Sequence, residues 1–474
     1  MAKSACPPRW EHQEQSYQFF LKRPRGFDNS APGTGKTRVQ IDIYNQRKNR
    51  KRWLILCPMT LMEPAWGVDI EKYAPNLTVS FAKADNREEA FAARTDVVVL
   101  NIDGVKWFAD KATRTKAMKY LKEFDHLTID EYTAYKHANS QRSKAIKAIA
   151  KQFTYRYGMS GTPNSNTVME LFHPALIIDD GKRLGTSYFA LRSNVQVPTQ
   201  IGPRPDMLRW DDKPGVASVV AELLQDITIR HPFSVMKHVP ANFKEFRDFE
   251  LSKRMRRLYD QMESECILAF DDGAVANAVH AASLRNKLLQ IASGAVYANS
   301  DDPDSKYQLV DIARYELACD IIEESPHSVV FFNWTHQRDF MLKELEKRDL
   351  SVALIDGSVP DRKRAQIVAD YQDGKYRTIL LHPRTGAHGL TLTRGDTTIF
   401  TSPIYEVDLM EQGIARIWRG AQDKETRTIF LRAKRTVEET KVYPRLFEKL
   451  DAMNELLDIQ ASKHKPTPVR KRKT

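Results

Sequence analysis

Short apolar runs separated by helix-length amphipathic stretches constrain this chain more than any other feature, because they occur in two sets. The first set is Trp53–Cys57, Val97–Asn101, Leu127–Ile129 and Tyr155–Met159. The second is Val329–Phe332, Val352–Ile355, Thr378–Leu381, Thr398–Phe400 and Thr428–Leu431. A strand that is apolar along its whole length must be covered on both faces, and intervening helices supply that cover. Each set therefore predicts a parallel sheet flanked by helices. A chain of 474 residues exceeds one ordinary core and suits two. From about Leu176 to Lys306 strand signals thin out, Pro and Gly gather near Val197–Pro214, and helical patterns run through Met255–Phe270 and Ala274–Ile291. The expected architecture is α/β, with two parallel-sheet lobes at 1–175 and 306–462. A linker and helical protrusion fills 176–305, and a basic tail follows at 463–474.

Lys+Arg total 73 against 61 Asp+Glu, a net charge of +12, which suits a polyanionic partner such as nucleic acid or simply a soluble basic protein. The tail Lys463–Thr474 carries six Lys/Arg and two prolines; it is expected to be disordered, either gripping phosphates or merely solvated. Cys6, Cys57, Cys266 and Cys319 stand far apart with no partner at metal-ligand spacing, so neither a zinc site nor a disulfide framework is expected. No run of 18 apolar residues occurs, and the N-terminus lacks an apolar stretch after its first charges. A soluble, intracellular protein with no membrane partner is expected.

S-A-P-G-T-G-K-T, Ser30–Thr37, follows the phosphate-loop pattern G-x-x-x-x-G-K-[ST] except at its first position. Gly33, Thr34 and Gly35 would turn backbone N–H groups toward phosphate oxygens, and the helix beginning after them would present its positive end. Lys36 would neutralise the β- and γ-oxygens, and Thr37 would place a hydroxyl on Mg²⁺. L-T-I-D-E, Leu127–Glu131, delivers two carboxylates at the C-terminal end of an apolar strand, where ligands of open α/β sheets gather. Asp130 would hold Mg²⁺ and Glu131 would orient or deprotonate an attacking water. Alone, such a pair is an ordinary charged strand end; together with a phosphate loop it points to ATP.

Further segments, in order, carry a resemblance. They are R-W-E-H-Q-E-Q (Arg9–Gln15), L-I-L-C-P-M-T-L-M-E-P-A-W (Leu54–Trp66), D-E-Y-T-A-Y-K-H-A-N-S (Asp130–Ser140), G-M-S-G-T-P-N-S-N (Gly158–Asn166) and L-R-N-K-L-L-Q (Leu284–Gln290). The second half continues with V-V-F-F-N-W-T-H (Val329–His336), I-D-G-S-V-P-D-R-K-R (Ile355–Arg364), T-G-A-H-G-L-T-L (Thr385–Leu392) and Q-G-I-A-R-I-W-R-G-A-Q (Gln412–Gln422). From about Arg9 to Leu450 the chain resembles the Swi/Snf-like DNA-dependent ATPases of helicase superfamily two, in the compact form of a phage or bacterial member. It departs from that pattern at Ser30-Ala31, at Ala387 and His388, and in R-G-A-Q. None of these departures removes a phosphate, metal or water ligand.

The resemblance implies two RecA-like lobes with ATP and Mg²⁺ bound at the cleft between them, and movement along double-stranded DNA that displaces bound proteins or remodels or anneals DNA. It implies that Gln13 grips adenine, that Ser160 and Thr162 link hydrolysis to motion, and that Gly386 and Gly389 approach the DNA backbone, although turn chemistry also calls for glycine there. Gln412, Arg416 and Arg419, spaced i, i+4 and i+7, would share one helix face and meet the γ-phosphate as arginine fingers do; a surface stripe pairing with Glu411 and Asp423 is the alternative. Trp334 would stack on a base or fill a core. Two rivals remain: a strand-separating helicase, and a DNA-binding scaffold without hydrolysis. A monomer in a bacterial cytoplasm or a phage-infected host is expected, and a nuclear protein if the source is eukaryotic.

Overall fold

The computed structural model describes residues 6–164, 166–201, 204–269, 275–277, 281–297, 307–309, 311–386 and 390–462. The basic tail, Gly389, Ala387 and His388 lie outside these residues. The chain divides into two compact units, Met1–Met236 with Lys449–Thr474, and Lys237–Glu448.

The first unit is built on seven parallel strands: β1 (Arg25–Asp28), β2 (Arg52–Cys57), β3 (Val79–Ala82), β4 (Val97–Asn101), β5 (Phe124–Asp130), β6 (Tyr155–Met159) and, after a hairpin of β7 (Gln196–Gln200) and β8 (Leu208–Asp212), β9 (Thr228–Ile229). Their order across the sheet is β3-β4-β2-β5-β6-β1-β9, and every neighbouring pair is parallel. All six residues of β2 are buried, as a strand covered on both faces requires. The strand order reverses beside β1, and the chain following β1 turns directly into a helix, α2 (Lys36–Gln46). Helix α1 (Glu11–Leu21) precedes β1 and buries Phe19 and Phe20 beside Val39 and Ile43 of α2. Residues 449–462 return to this unit: Leu456 lies in its core, and Gln460 Oε1 accepts from Asn29 Nδ2 at 3.0 Å.

The second unit contains β10 (Asn242–Phe249), two short hairpins, β11 (Ile267–Ala269) with β12 (Val275–Asn277) and β13 (Ala295–Tyr297) with β14 (Tyr307–Leu309), and then β15 (Ser328–Phe331), β16 (Val352–Ile355), β17 (Thr378–Leu381), β18 (Thr397–Phe400) and β19 (Thr426–Ala433). Six of these form a wholly parallel sheet in the order β10-β19-β18-β15-β17-β16. Strands β15, β17 and β18 are buried along their full length. Two α/β units with parallel sheets are therefore present. Between the two sheets in sequence lie the helices Tyr188–Val195, Val216–Leu224, Lys253–Glu265 and Ala281–Ala292. That intervening segment also gives an edge strand to each sheet, β9 and β10, so the compact units meet in sequence at Met236/Lys237 rather than at a composition change. Among the described residues no helix is long and apolar enough to cross a membrane.

His336, on the helix Thr335–Lys347, is fully buried, its ring within 3.0 Å of the Tyr297 hydroxyl and 3.3 Å of the Ser293 carbonyl. Burial pushes its pKa down to about 3. The unfolded chain takes up a proton near pH 6.5 that the folded chain refuses until about pH 3. Stability is therefore lost as pH falls through that window, by about 2 kcal/mol at pH 5 from this residue. Chemical unfolding at pH 7.5 and pH 5 will show that loss in the wild type and a smaller one in His336→Gln.

Candidate nucleotide site

The site is assembled at the C-terminal ends of β1, β6 and β5, which lie side by side in that order. After β1, Gly33 and Gly35 both take φ of 80°, a left-handed conformation that lets the loop curl before α2. Gly35 is also needed for space, since a Cβ there would stand 2.2 Å from Gln13 Nε2. That amide lies against the loop backbone, 3.3 Å from the Thr34 carbonyl and 3.5 Å from that of Gly35. Gln13 Oε1 in turn accepts from the Trp10 backbone N–H at 3.0 Å. Gln13 thus lies against the phosphate-loop backbone. Thr34 Oγ1 donates to the Ala31 carbonyl at 2.8 Å, and Lys36 Nζ donates to the Ser30 and Ala31 carbonyls at 2.7 and 3.3 Å. Thr37 follows Lys36 in the first turn of α2.

Asp130 ends β5, and Glu131 follows it with φ 56° and ψ 58°. A left-handed carboxylate residue carries backbone strain of about 1–3 kcal/mol, and such strain gathers where a side chain must be aimed. Two contacts hold it in place. Ser160, just past β6, donates its hydroxyl to Glu131 Oε2 at 3.1 Å, and its own backbone N–H bonds the Asp28 carbonyl at the end of β1, 3.1 Å away. Thr162 N donates to Ser160 Oγ at 3.2 Å. Gly161 packs on the loop so closely that a Cβ would fall 2.7 Å from Pro32 Cδ. The S-G-T-P segment, just past the middle strand, thus touches both the phosphate loop and Glu131.

The electrostatics follow from this crowding. Burial lowers the Lys36 pKa, opposed by the negative charges of Asp28, Glu131 and Asp130. Burial and the adjacent Glu131 raise Asp130 well above the usual carboxylate range, while the Trp66 indole, donating to its Oδ2 at 3.0 Å, pulls it back. Burial likewise raises Asp28, whose Oδ1 accepts from the Ser30 N–H at 3.0 Å. A divalent cation beside Asp130 and Glu131 would relieve this repulsion. Among the described residues no group of three or more His, Cys, Asp or Glu forms a ready-made cage. Carboxylate and hydroxyl oxygens, as Asp130 and Thr37 would supply, are the hard donors that suit Mg²⁺.

Sequence reasoning did not find several residues of this site. Asp28, Trp66, Arg230 and His231 all contact it. The Arg230 side chain donates to the Asn29 carbonyl at 2.5 Å, and the His231 backbone both donates to Ser30 Oγ and accepts from Ala31 N, at 3.1 and 2.9 Å.

In the second unit the expectation of one continuous helix through Gln412, Arg416 and Arg419 needs correction: the helix Val407–Ile414 ends before either arginine. Past Ile414 the chain tightens into three-residue turns, and the Arg416 carbonyl leaves the helical ladder to accept from Leu392 N at 3.0 Å. The side chains still converge. Arg416 reaches the Gln412 carbonyl at 2.8 Å and the Leu390 carbonyl at 3.0 Å, and Arg419 reaches the same Leu390 oxygen at 3.2 Å and Thr391 Oγ1 at 2.8 Å. Gln412 is buried, and its Oε1 has no hydrogen-bond partner among the described residues. Gly386 is buried against Leu381, where a Cβ would stand 2.9 Å away, so close packing accounts for the glycine. Trp334 is part-buried and packs against the core around Met255 and Leu288.

A phosphate-loop α/β protein with two parallel-sheet units is the class that these features define. Comparison with known families sharpens it: the model of the SNF2-related domain matches residues 12–293, more than half of the chain, and that of the helicase conserved C-terminal domain matches 313–421. The chain belongs to the SNF2-related domain family and carries both domains of a Swi/Snf-like, helicase-type ATPase. It is similar to protein p41 of Acyrthosiphon pisum secondary endosymbiont phage 1, with 26% identity over 92% of this chain and 95% of that one. It is also similar to an uncharacterized ATP-dependent helicase of Mycoplasma genitalium, with 21% identity over 86% of this chain and 38% of that protein. The chain thus spans well under half of the Mycoplasma relative. Among solved structures, the Sulfolobus solfataricus SWI2/SNF2 ATPase core in complex with dsDNA aligns over 98% of this chain and 96% of that one, at 17% identity and a TM-score of 0.43.

Proposed function

We propose that this chain is an ATP-hydrolysing motor that runs along double-stranded DNA without separating its strands, displacing bound proteins or remodelling DNA as it moves. The observation that carries the reading is the convergence of Lys36, Asp130 and Glu131 at the C-terminal ends of β1 and β5, with Ser160 bonded to both strand ends. Lys36 and the N–H groups of Gly33, Thr34 and Gly35 hold the phosphates, and Gln13 holds the base. Thr37 and Asp130 would hold Mg²⁺, which would supply positive charge against the phosphates. Glu131, held by Ser160, orients the attacking water and accepts its proton. Arg416 and Arg419, with Gln412 beside them, are the guanidinium groups that stabilise negative charge on the transferred phosphoryl group. Ser160 and Thr162 couple that event to motion, and Gly386 and Gly389 belong to the stretch that meets the DNA backbone.

ATP turnover measured without nucleic acid, and then with duplex DNA, single-stranded DNA and RNA, tests this reading. Duplex DNA should stimulate turnover at least about tenfold and more than either single strand, with stimulation that weakens as salt rises because the grip is on phosphates. Equal rates with and without any DNA would sink it.

A further inference from the structure

The two ends of the first sheet differ in charge. The strand ends described above face a nucleotide; the strand starts, at the opposite edge, open onto two clefts. One, of about 490 Å³, is lined by residues immediately preceding β2, β4 and β5, and its cations are Arg50, Lys51, Arg52, Arg94 and Lys122. The other, of about 590 Å³, is lined by residues preceding β6, β1 and β9, and its cations are Arg23, Arg25, Lys151, Lys182 and Arg183. Six of the seven strands therefore begin at a basic cleft.

The acids in these clefts are already engaged. Glu123 pairs with Arg52, Asp179 and Asp226 pair with Arg183, and Asp96 accepts from the backbone and hydroxyl of Thr78. Arg94, Lys122, Lys151 and Lys182 are exposed and form no ion pair among the described residues. A structural role explains Arg52, whose guanidinium bonds the Thr95 and Phe91 carbonyls, but it does not explain these four.

We infer that this edge is a second DNA-binding face, separate from the ATP site and from the track of the motor. Length selects the occupant. The clefts centre on β2 and β1, three strand spacings apart, or about 14 Å. No single phosphate or nucleotide fills both, whereas duplex DNA carries about eight charges over that distance. An anionic membrane is the less suitable occupant, because none of the exposed large apolar side chains lines either cleft, and surface-bound proteins insert such groups. The seven residues of β5 hold this edge about 20 Å from Asp130, so a duplex here leaves the nucleotide site open. A motor with this face holds a second DNA segment while it moves on the first.

The test uses the full chain and two short duplexes, one carrying a fluorescence donor and the other an acceptor. Three double variants each lower the net charge by four: Arg94→Glu/Lys122→Glu, Lys151→Glu/Lys182→Glu, and a control on the other unit, Lys253→Glu/Arg254→Glu. Wild type and control should bring donor and acceptor together. Each cleft variant should need at least about tenfold more protein to do so, and its salt dependence should be shallower by about 1.8 in log–log slope, the value for two lost phosphate contacts. Duplex-stimulated ATP turnover, read on the same samples, should stay within about twofold of wild type in all three. Absence of bridging by the wild type, undiminished bridging in either cleft variant, or an equal loss in the control overturns the inference. A parallel fall in stimulated turnover would assign the clefts to the track and overturn it as well. Turnover of the wild type with and without duplex reports on the motor reading by itself, so the two can fail separately.

Discussion

Glu131→Gln should reduce ATP turnover by about 10²–10⁴-fold while leaving nucleotide and DNA binding near wild type. The substitution keeps the shape of the side chain and its ability to meet the Ser160 hydroxyl, now 3.1 Å from Glu131 Oε2, but removes the group that accepts the water proton. The left-handed backbone at this position is no worse for glutamine than for glutamate, so folding should survive. Lys36→Ala should be comparably inactive for a different reason: the charge that balances Asp28, Asp130 and Glu131 is lost, so the carboxylates repel an incoming phosphate. In that variant nucleotide binding weakens together with turnover, and DNA binding persists. Steady-state hydrolysis and fluorescent-nucleotide binding on the same preparations separate the two effects. Wild-type turnover in either variant would remove the site assignment.

The second large effect is on stability. Arg314 and Glu438 form a salt bridge of 2.7 Å inside the second unit, with both side chains fully buried. The guanidinium also bonds the Ala292 carbonyl at 3.0 Å and the Thr401 carbonyl at 2.5 Å, and lies over Phe249; Glu438 accepts from Ala433 N at 2.8 Å. Burial raises the Glu438 pKa, opposed by the charge of Arg314 beside it, and taking two charges out of water offsets much of their mutual attraction. The intact pair therefore adds little net stability. Half a pair is another matter. Arg314→Met leaves a carboxylate with no counter-charge in an apolar interior, a loss of about 3–5 kcal/mol out of the roughly 5–15 kcal/mol typical of a domain. Thermal unfolding should show that loss, and the double variant Arg314→Met/Glu438→Leu should recover a large part of it. A double variant as unstable as the sum of the singles would contradict this account.

The fold was legible where one strand could be read on its own. Trp53–Cys57 and Val329–Phe332 are apolar from end to end, which only a strand buried on both faces explains, and both fall in central strands. Of the four edge strands only β16 was legible; β3, β9 and β10 were not. β9 is two residues long, and β10, N-F-K-E-F-R-D-F, mixes charges with Phe because most of it faces solvent; each is defined by its partner strand rather than by its own pattern. The same limit applies to the site. The phosphate loop and the D-E pair are each local in sequence, so Lys36, Asp130 and Glu131 stood out as candidates once the two motifs were taken together. Trp66 meets Asp130 from 64 residues away, and Arg230 meets Asn29 from 201 away, contacts that only the sheet order creates. The arginine motif was placed on too long a helix, although Arg416 and Arg419 do meet at the Leu390 carbonyl, since nothing local announces that the Arg416 carbonyl bonds Leu392 N.

The most direct test of the central claim is displacement of a labelled third strand from a DNA triplex lying ahead of the motor on a duplex. The wild type should release the third strand in the presence of ATP and Mg²⁺ while the underlying duplex stays paired, and Glu131→Gln should bind the same DNA and release nothing. Release that does not require ATP, no release by the wild type, or separation of the duplex strands would contradict the account.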